Sequence, residues 1–203
     1  MTATQGLREK KNLDVKRAFF KAAMALFREN GFEQTSVDEI AKRVGFSRAT
    51  YFNHFGTKKG VLRFYGQELQ LRVEELLENL DPSAEPLEII HEVLFIMARE
   101  AEAHRDDLKV IFIHSIQDLE YLERMTPARQ SILNLLTGLL NEAQEKGQIR
   151  QDLPALEQAF HIMALYQGAL MPIVVGTHDA ESAIGSAWRF IIGGLGGGYP
   201  VAR

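Results

Sequence analysis

The sequence predicts an all-α protein of about nine helices, with a first domain over residues 1–65 and a second over residues 66–203. Apolar residues recur three and four positions apart along almost the whole chain, and no segment shows the sustained alternation that is typical of a half-buried strand. The clearest break is the segment 81–86, where two prolines end one helix and begin another. With 203 residues, 46% of them hydrophobic, the chain is long enough to bury a core.

The first two predicted helices have recognisable start or stop signals. The first covers residues 13–29 and ends before Gly31, a residue type that accepts the left-handed conformation of a helix C-terminus. The second begins at Ser36, where Glu39 lies three residues further on and completes a capping box. Gly45 ends this helix.

The third predicted helix is short and the fourth is long. Ser47 caps the third, which ends near His54 and is closed by Gly56. Thr57 caps the fourth, over residues 58–80. Five further helices are predicted over residues 87–104, 106–122, 127–146, 154–175 and 179–192.

The net charge of −4 conceals two parts of opposite sign. Residues 1–65 contain 13 Lys and Arg against 6 Asp and Glu, whereas residues 66–203 contain 10 against 21. A basic segment is often no more than a solvated face, but only the first domain has the charge that a polyanion attracts. The local sequence motif has to decide between these two interpretations.

Residues 35–62 contain three short elements at the spacing of a helix-turn-helix. Ala41 permits close approach of two helices, and Gly45 four residues later permits the tight turn between them. In such a motif the second helix projects side chains into the major groove of DNA. A small three-helix packing unit is the alternative, and the two caps and the basic surplus favour DNA binding over it.

The same segment resembles the DNA-binding motif of the tetracycline-repressor (TetR) family of bacterial regulators. The residues that match the family's pattern, in chain order, are Ile40, Ala41, Gly45, Ser47, Thr50, Tyr51, Phe52, His54, Phe55, Thr57 and Lys58. The resemblance is strong over residues 13–62; over the rest only the layout is similar, with a long fourth helix, several sensor helices, and an eighth and a ninth helix that pair with a second subunit. It implies a homodimer on a palindromic DNA operator and an unidentified small-molecule effector.

Two residues depart from the family's pattern. Phe52 stands where the family usually has a tyrosine whose hydroxyl touches phosphate, and Tyr51 replaces that hydroxyl only if its ring faces the DNA rather than the core. Lys59 stands where an acidic residue is common. A cation there suits a nearby phosphate but not the positive end of a helix.

The predicted DNA contacts follow from side-chain chemistry. Arg48, Thr50 and Asn53 have donors or acceptors that read base edges, and Arg48 is suited to guanine. Lys58 suits a phosphate, and His54 either contacts phosphate or stacks within the domain. The full set of predicted DNA-binding residues is Ser36, Ser47, Arg48, Thr50, Tyr51, Asn53, His54 and Lys58.

The second domain offers few clues to an effector pocket: polar residues inside apolar stretches, with aromatic or methionine side chains as possible walls. The predicted pocket residues are Phe64, His91, Phe95, His114, Gln117, His161, Met163 and Tyr166. For each histidine the alternative is a hydrogen-bonded core or surface residue. The separation of the histidines gives no metal-ligand signature, so neither a metal nor a cofactor is predicted.

Together with the helix-turn-helix motif, the resemblance implies a ligand-responsive transcriptional regulator, expected to be a repressor that its effector releases from DNA. An architectural DNA-binding protein without effector response is the alternative. No catalytic triad, phosphate-binding glycine loop or pair of catalytic carboxylates can be placed, so no catalytic residue and no enzyme activity is predicted. The chain has no cysteine, and its most apolar stretch, 161–176, is shorter than the roughly 20 residues that span a bilayer, so a cytoplasmic location without membrane contact is expected.

Overall fold

A computed structural model of the chain describes residues 3–78, 83–115 and 127–196, and all regular structure within them is helical. The predicted all-α class is therefore confirmed. The helices are α1 (Ala3–Asn30), α2 (Val37–Val44), α3 (Arg48–Phe55), a 3-10 turn (Lys59–Arg63), α4 (Phe64–Glu78), α5 (Pro86–Ala103), α6 (Arg105–Ser115), α7 (Pro127–Glu145), α8 (Ala155–Val175) and α9 (Ala180–Leu195).

The first and last of these helices are longer than the sequence predicts. α1 begins ten residues earlier than expected, because residues 3–12 contain good helix formers and no proline that would stop the helix. α9 continues through Gly193 and Gly194 to Leu195, which is buried in the core. The backbone N–H of Arg150 donates to the Leu195 carbonyl at 2.9 Å, so the C-terminus of α9 is anchored to the segment between α7 and α8.

The fourth helix begins at Phe64 and not at the expected residue 58. Between them lies the 3-10 turn, in which the Gly60 N–H donates to both the carbonyl and the hydroxyl of Thr57, at 3.0 and 2.9 Å. Thr57 therefore caps this turn and not the α-helix. A Cβ atom on Gly60 would lie 1.9 Å from the carbonyl oxygen of Phe55, so the chain can turn this tightly only because residue 60 is glycine.

Two clusters of buried side chains form the core. The N-terminal cluster is built around Phe19, Ile40 and Tyr51, from α1, α2 and α3. It also includes Leu108 of α6 and Val174 of α8, so apolar packing continues from the first predicted domain into the second. The other cluster is formed by α5, α7, α8 and α9.

α8 is central to the second cluster, since it contacts α5, α6, α7 and α9. The connection between α7 and α8 is held by Gln144 and the buried Gln158. The side-chain amides of both residues donate to the Leu153 carbonyl, at 2.8 and 2.7 Å. By length and mean hydropathy (1.3), α8 is the one described helix that could cross a membrane, a test that the core helices of water-soluble proteins also pass.

Candidate DNA-binding site and effector cavity

The geometry of α2 and α3 is that of the predicted helix-turn-helix. Gly45 ends α2 in the left-handed region, with φ 78° and ψ 25°, and the buried Ala41 lets the chain pass close to α2. The N–H of Phe46 then donates to the Ala41 carbonyl at 3.0 Å. This turn places α3 across the end of α2.

Both predicted caps of these helices are confirmed. The hydroxyl of Ser36 accepts from the Glu39 N–H at 3.2 Å, and the Glu39 carboxylate accepts from the Ser36 N–H at 2.8 Å. The Ser36 backbone and hydroxyl bonds lower the pKa of Glu39, because they favour its charged form. At the start of α3, the Ser47 hydroxyl accepts from the Thr50 N–H at 3.1 Å. Both serines are exposed.

One side of α3 is exposed to solvent. Arg48 and Asn53 are exposed, and Thr50 is half-buried with its hydroxyl 2.8 Å from that of Ser47. Arg48 pairs with Asp38 of α2 at 2.7 Å, a partner that the sequence analysis missed, and its guanidinium lies 5.3 Å from the Phe52 ring centroid. Since both members of the ion pair are about 60% exposed, the pair is weak, and Arg48 can leave it at little cost.

The expected DNA contact of Tyr51 is wrong. Its ring is fully buried in the N-terminal cluster, 5.4 Å from that of Phe19, and its hydroxyl donates to the Lys58 carbonyl at 2.8 Å. Burial raises the pKa of Tyr51 above its ordinary value. Tyr51 is thus a core residue that ties α3 to the 3-10 turn, and it does not replace the hydroxyl that Phe52 lacks.

The Lys58 side chain turns back into the domain. Its ammonium donates to the carbonyls of Phe32 and Thr35, at 2.8 and 3.2 Å, and lies 4.4 Å from the centroid of the Phe32 ring. Lys58 therefore fixes the loop between α1 and α2, a role that the sequence analysis missed. No local signal could have shown it, because the partners lie more than twenty residues away.

His54 is half-buried on α3, with its ring centroid 6.2 Å from those of Phe19 and Phe55. Burial lowers the pKa of His54, and the nearby Lys16 acts in the same direction. Of the two expected roles, the geometry supports stacking within the domain. A phosphate contact by His54 stays a prediction.

The predicted pocket residues do not converge on one site. His91 and Phe95 alone are in ring contact with one another, at 5.6 Å on α5. Met163 and Tyr166 are buried in the second cluster, whereas His161 is exposed on the opposite face of α8, because residues two apart on a helix are separated by about 200°.

The remaining three predicted pocket residues also lie apart. Phe64 is buried beside the rings of Phe20 and Phe55. His114 stacks on Phe32, at the helix-turn-helix unit. Gln117 lies outside the described residues.

A cavity of about 520 Å³ lies instead between α1, α4, α5 and α6, and Phe64 is part of its wall. The other lining residues are Arg17, Phe20, Lys21, Met24, Arg28, Tyr65, Glu68, Arg72, Glu75, Glu100, His104 and Asp107. The cavity thus lies between α1 of the first domain and α4, α5 and α6, beside the apolar contacts that join α1 to α6.

Ion pairs bridge this cavity. Arg17 of α1 donates to Glu68 of α4 at 2.8 Å, and Arg28 of α1 pairs with Asp107 of α6. Burial raises the pKa of Asp107, and the positive charge of Arg28 opposes that shift. α1 is therefore tied to both α4 and α6 through charged groups at the edge of an open space. The other Glu68 oxygen, Oε1, is buried without a hydrogen-bond partner among the described residues.

The described residues contain no group of three or more His, Asp or Glu side chains that could hold a metal ion.

Comparison with known proteins places these features in a family. The family model for bacterial regulatory proteins of the tetR family matches residues 19–63, which include all of α2, α3 and the 3-10 turn. The transcriptional regulator UidR of Escherichia coli is 25% identical over 180 residues, which cover 86% of this chain and 89% of UidR.

Two solved structures have the same fold over almost their whole length. Thermus thermophilus FadR, a TetR-family transcriptional repressor in complex with lauroyl-CoA, is 26% identical, with a TM-score of 0.68 and coverage of 93% of this chain and 98% of that one. Bacillus subtilis FadR in complex with stearoyl-CoA is 20% identical, with a TM-score of 0.74 and coverage of 88% and 98%.

Proposed function

The chain belongs to the TetR family of bacterial regulatory proteins, and from this premise we propose that it is a cytoplasmic repressor, binding a palindromic operator as a homodimer and released by a small-molecule effector. The observation that carries the proposal is the exposed side of α3, held by two serine caps and a left-handed glycine turn. It lies in the basic part of the chain, which is joined to an acidic remainder.

The operator is read by α3. Arg48 and Asn53 reach base edges in the major groove, while Ser36 and Ser47, at the N-termini of α2 and α3, face the phosphates on either side. Thr50 supports the reading surface through its contact with Ser47. The surplus of positive charge in residues 1–65 attracts the DNA backbone without regard to sequence.

A homodimer is supported by the outer face of α8 and α9. Large apolar side chains are exposed there in the single chain: Leu156, Phe160, Met171 and Val175 on α8, and Phe190 on α9. No Asp, Glu, Lys or Arg occurs in residues 158–175. Apolar faces of this kind are usually covered in solution. An isologous pairing of two copies would cover this face on both protomers.

The effector, as we propose it, occupies the cavity between α1, α4, α5 and α6. The lining combines apolar walls such as Phe20 and Phe64 with equal numbers of acidic and of Lys or Arg side chains, and an anionic amphiphile would compete with the carboxylates for the guanidinium groups of Arg17 and Arg28. Such a ligand would take Arg28 from Asp107 and Arg17 from Glu68, and so release α1 from α6 and α4. It changes DNA affinity only to the extent that it prefers the released arrangement.

In vitro selection from random DNA duplexes provides the test. We expect the selected duplex to bind about 10³-fold more tightly than a scrambled duplex at one salt concentration. A ratio near one would make the chain an architectural DNA-binding protein and overturn the proposal.

The effector class is tested on the same selected duplex. Because two similar structures hold acyl-CoA, lauroyl-CoA and stearoyl-CoA are the first compounds to add, with free CoA as the control. We expect the acylated compounds to weaken DNA binding. If neither does, this effector class is excluded while the measured specificity ratio stands.

A further inference from the structure

A second concave surface lies away from the features described above, in a groove of about 590 Å³ between α5 and α9. Its walls are three half-buried ring side chains, His91 and Phe95 of α5 and Trp188 of α9. Its rim carries Glu88, Glu92 and Arg99 of α5. Neither the DNA-reading surface nor the effector cavity includes any of these residues.

The rings form a continuous aromatic wall. His91 lies in the middle, with its centroid 5.0 Å from Trp188 and 5.6 Å from Phe95. The faces of the Phe and Trp rings in this wall attract cations, and Trp attracts them most strongly. The protein already uses this property at one end of the groove, where the guanidinium of Arg99 lies 4.9 Å from the centroid of the Phe95 ring.

The acidic residues lie towards the opposite end. Glu88 and Glu92 are exposed and four residues apart on α5, an arrangement in which like charges repel one another. Neither carboxylate has an ion pair or hydrogen bond within the described part of the chain. Two carboxylates without an ion-pair partner among the described residues therefore border the aromatic wall towards the end that Arg99 does not occupy.

The groove stays open in the proposed homodimer. Phe190, which is 70% exposed, belongs to the apolar face of α9, whereas Trp188 is half-buried against α5. Residues two apart on a helix are separated by about 200°, so the groove and the apolar face lie on opposite sides of α9.

We propose that this groove binds a small organic cation, a quaternary or alkylated ammonium group. The cation sits against the ring of Trp188, with His91 beside it, and the carboxylates of Glu88 and Glu92 neutralise its charge. The aromatic wall attracts the cation and the carboxylates select it over a neutral molecule of the same shape. This proposal does not rest on the DNA-binding function.

Trp188 is the only tryptophan of the chain, so its fluorescence reports directly on the groove. The full-length protein is titrated with tetramethylammonium chloride or choline chloride, with sodium chloride at equal ionic strength as one control. The neutral choline isostere 3,3-dimethylbutan-1-ol is the other. We expect a saturable change in fluorescence with the two organic cations only.

The double substitution Glu88→Gln and Glu92→Gln should weaken binding about tenfold or more, because it removes both neutralising charges. Glu145→Gln with Glu181→Gln is the matched control, since it removes two exposed carboxylates outside the groove and should leave binding unchanged. Calorimetric titration of the unsubstituted protein gives a second measurement that does not depend on any variant folding. A response equal to that of sodium chloride, or equal binding of the neutral isostere, would overturn the proposal.

Discussion

The imidazole ring of His114 on α6 stacks on the phenyl ring of Phe32, with the two centroids 4.2 Å apart and the planes inclined by 31°. Phe32 lies in the loop between α1 and α2 and also receives the ammonium of Lys58, which follows α3. Phe32 thus contacts α6 through His114 and the segment after α3 through Lys58. This gives the second domain a direct contact with the DNA-reading unit.

The substitution His114→Ala removes this stack. We expect the free energy of unfolding to fall by about 0.5 to 1.5 kcal/mol, the value typical of an aromatic pair. The control is His178→Ala, at an exposed position after α8, which should change stability by less than about 0.5 kcal/mol. Chemical denaturation of both variants measures the difference, and equal losses would show that the stack contributes nothing.

The same residue predicts a dependence of stability on pH. Burial lowers the pKa of His114 below its ordinary value of 6.5; Glu33 opposes this shift, while Lys59 and Lys58 act in the same direction as burial. The unfolded chain therefore binds the proton more readily, so stability falls as the pH drops through 6.5 towards the folded pKa. The decrease between about pH 7.5 and 5.5 should be smaller in His114→Ala, with His54 responsible for part of what remains. An identical decrease in the variant would contradict this role.

Arg48→Ala should lower the affinity for the selected duplex by about 1 to 3 kcal/mol and relax the preference at one base pair. Asp38→Ala is the informative partner substitution, because it frees Arg48 from its ion pair and removes a negative charge from the DNA-facing surface. We expect it to leave affinity unchanged or to raise it. Binding to a panel of single-base variants of the duplex checks both. Uniform weakening across the panel would reassign Arg48 to the DNA backbone.

Tyr51→Phe should destabilise the chain by about 1 kcal/mol, because the Lys58 carbonyl loses its hydrogen bond. Its DNA affinity, measured where the protein is fully folded, should not change. Phe52→Tyr, by contrast, restores the hydroxyl that the family usually has there and should tighten DNA binding. If Tyr51→Phe weakened DNA binding without loss of stability, the Tyr51 hydroxyl would have to reach the phosphate after all.

Gly60→Ala should cost about 1 to 3 kcal/mol of stability, since its Cβ atom would overlap the Phe55 carbonyl oxygen and force the backbone apart. Gly66→Ala is the matched control. It lies in α4 with no atom within 4 Å of the added Cβ, so it should stabilise the helix by up to about 1 kcal/mol. Thermal unfolding distinguishes the two substitutions. A stabilising Gly60→Ala would show that the 3-10 turn can relax at no cost.

The sequence predicted best those features whose signals are local. Ser36 with Glu39, and Gly45 after α2, act through bonds that span three to five residues, and each was placed correctly. The start of α4 was predicted six residues too early, because the tight turn depends on the contact of Gly60 with Phe55. Although that contact spans only five residues, the 3-10 turn also buries Val61 and Leu62 in the N-terminal cluster, and this tertiary packing has no local signal in the sequence.

The effector pocket could not be predicted for a related reason. Helical spacing shows which residues share a face, but not which helix covers that face. His161 and Met163 were therefore grouped in one pocket although they lie on opposite sides of α8. The contact between His114 and Phe32 joins residues more than eighty positions apart, so no local sequence pattern could predict it.

The measurement that tests the proposed regulator most directly is the stoichiometry of its complex with the selected duplex, determined by sedimentation or native mass spectrometry. We predict two protomers on two inverted half-sites in successive major grooves. Phe160→Glu, on the exposed face of α8, should abolish this complex, whereas Ile113→Glu, equally apolar and exposed on α6, should not. A single protomer bound to one site without inverted symmetry would contradict the account.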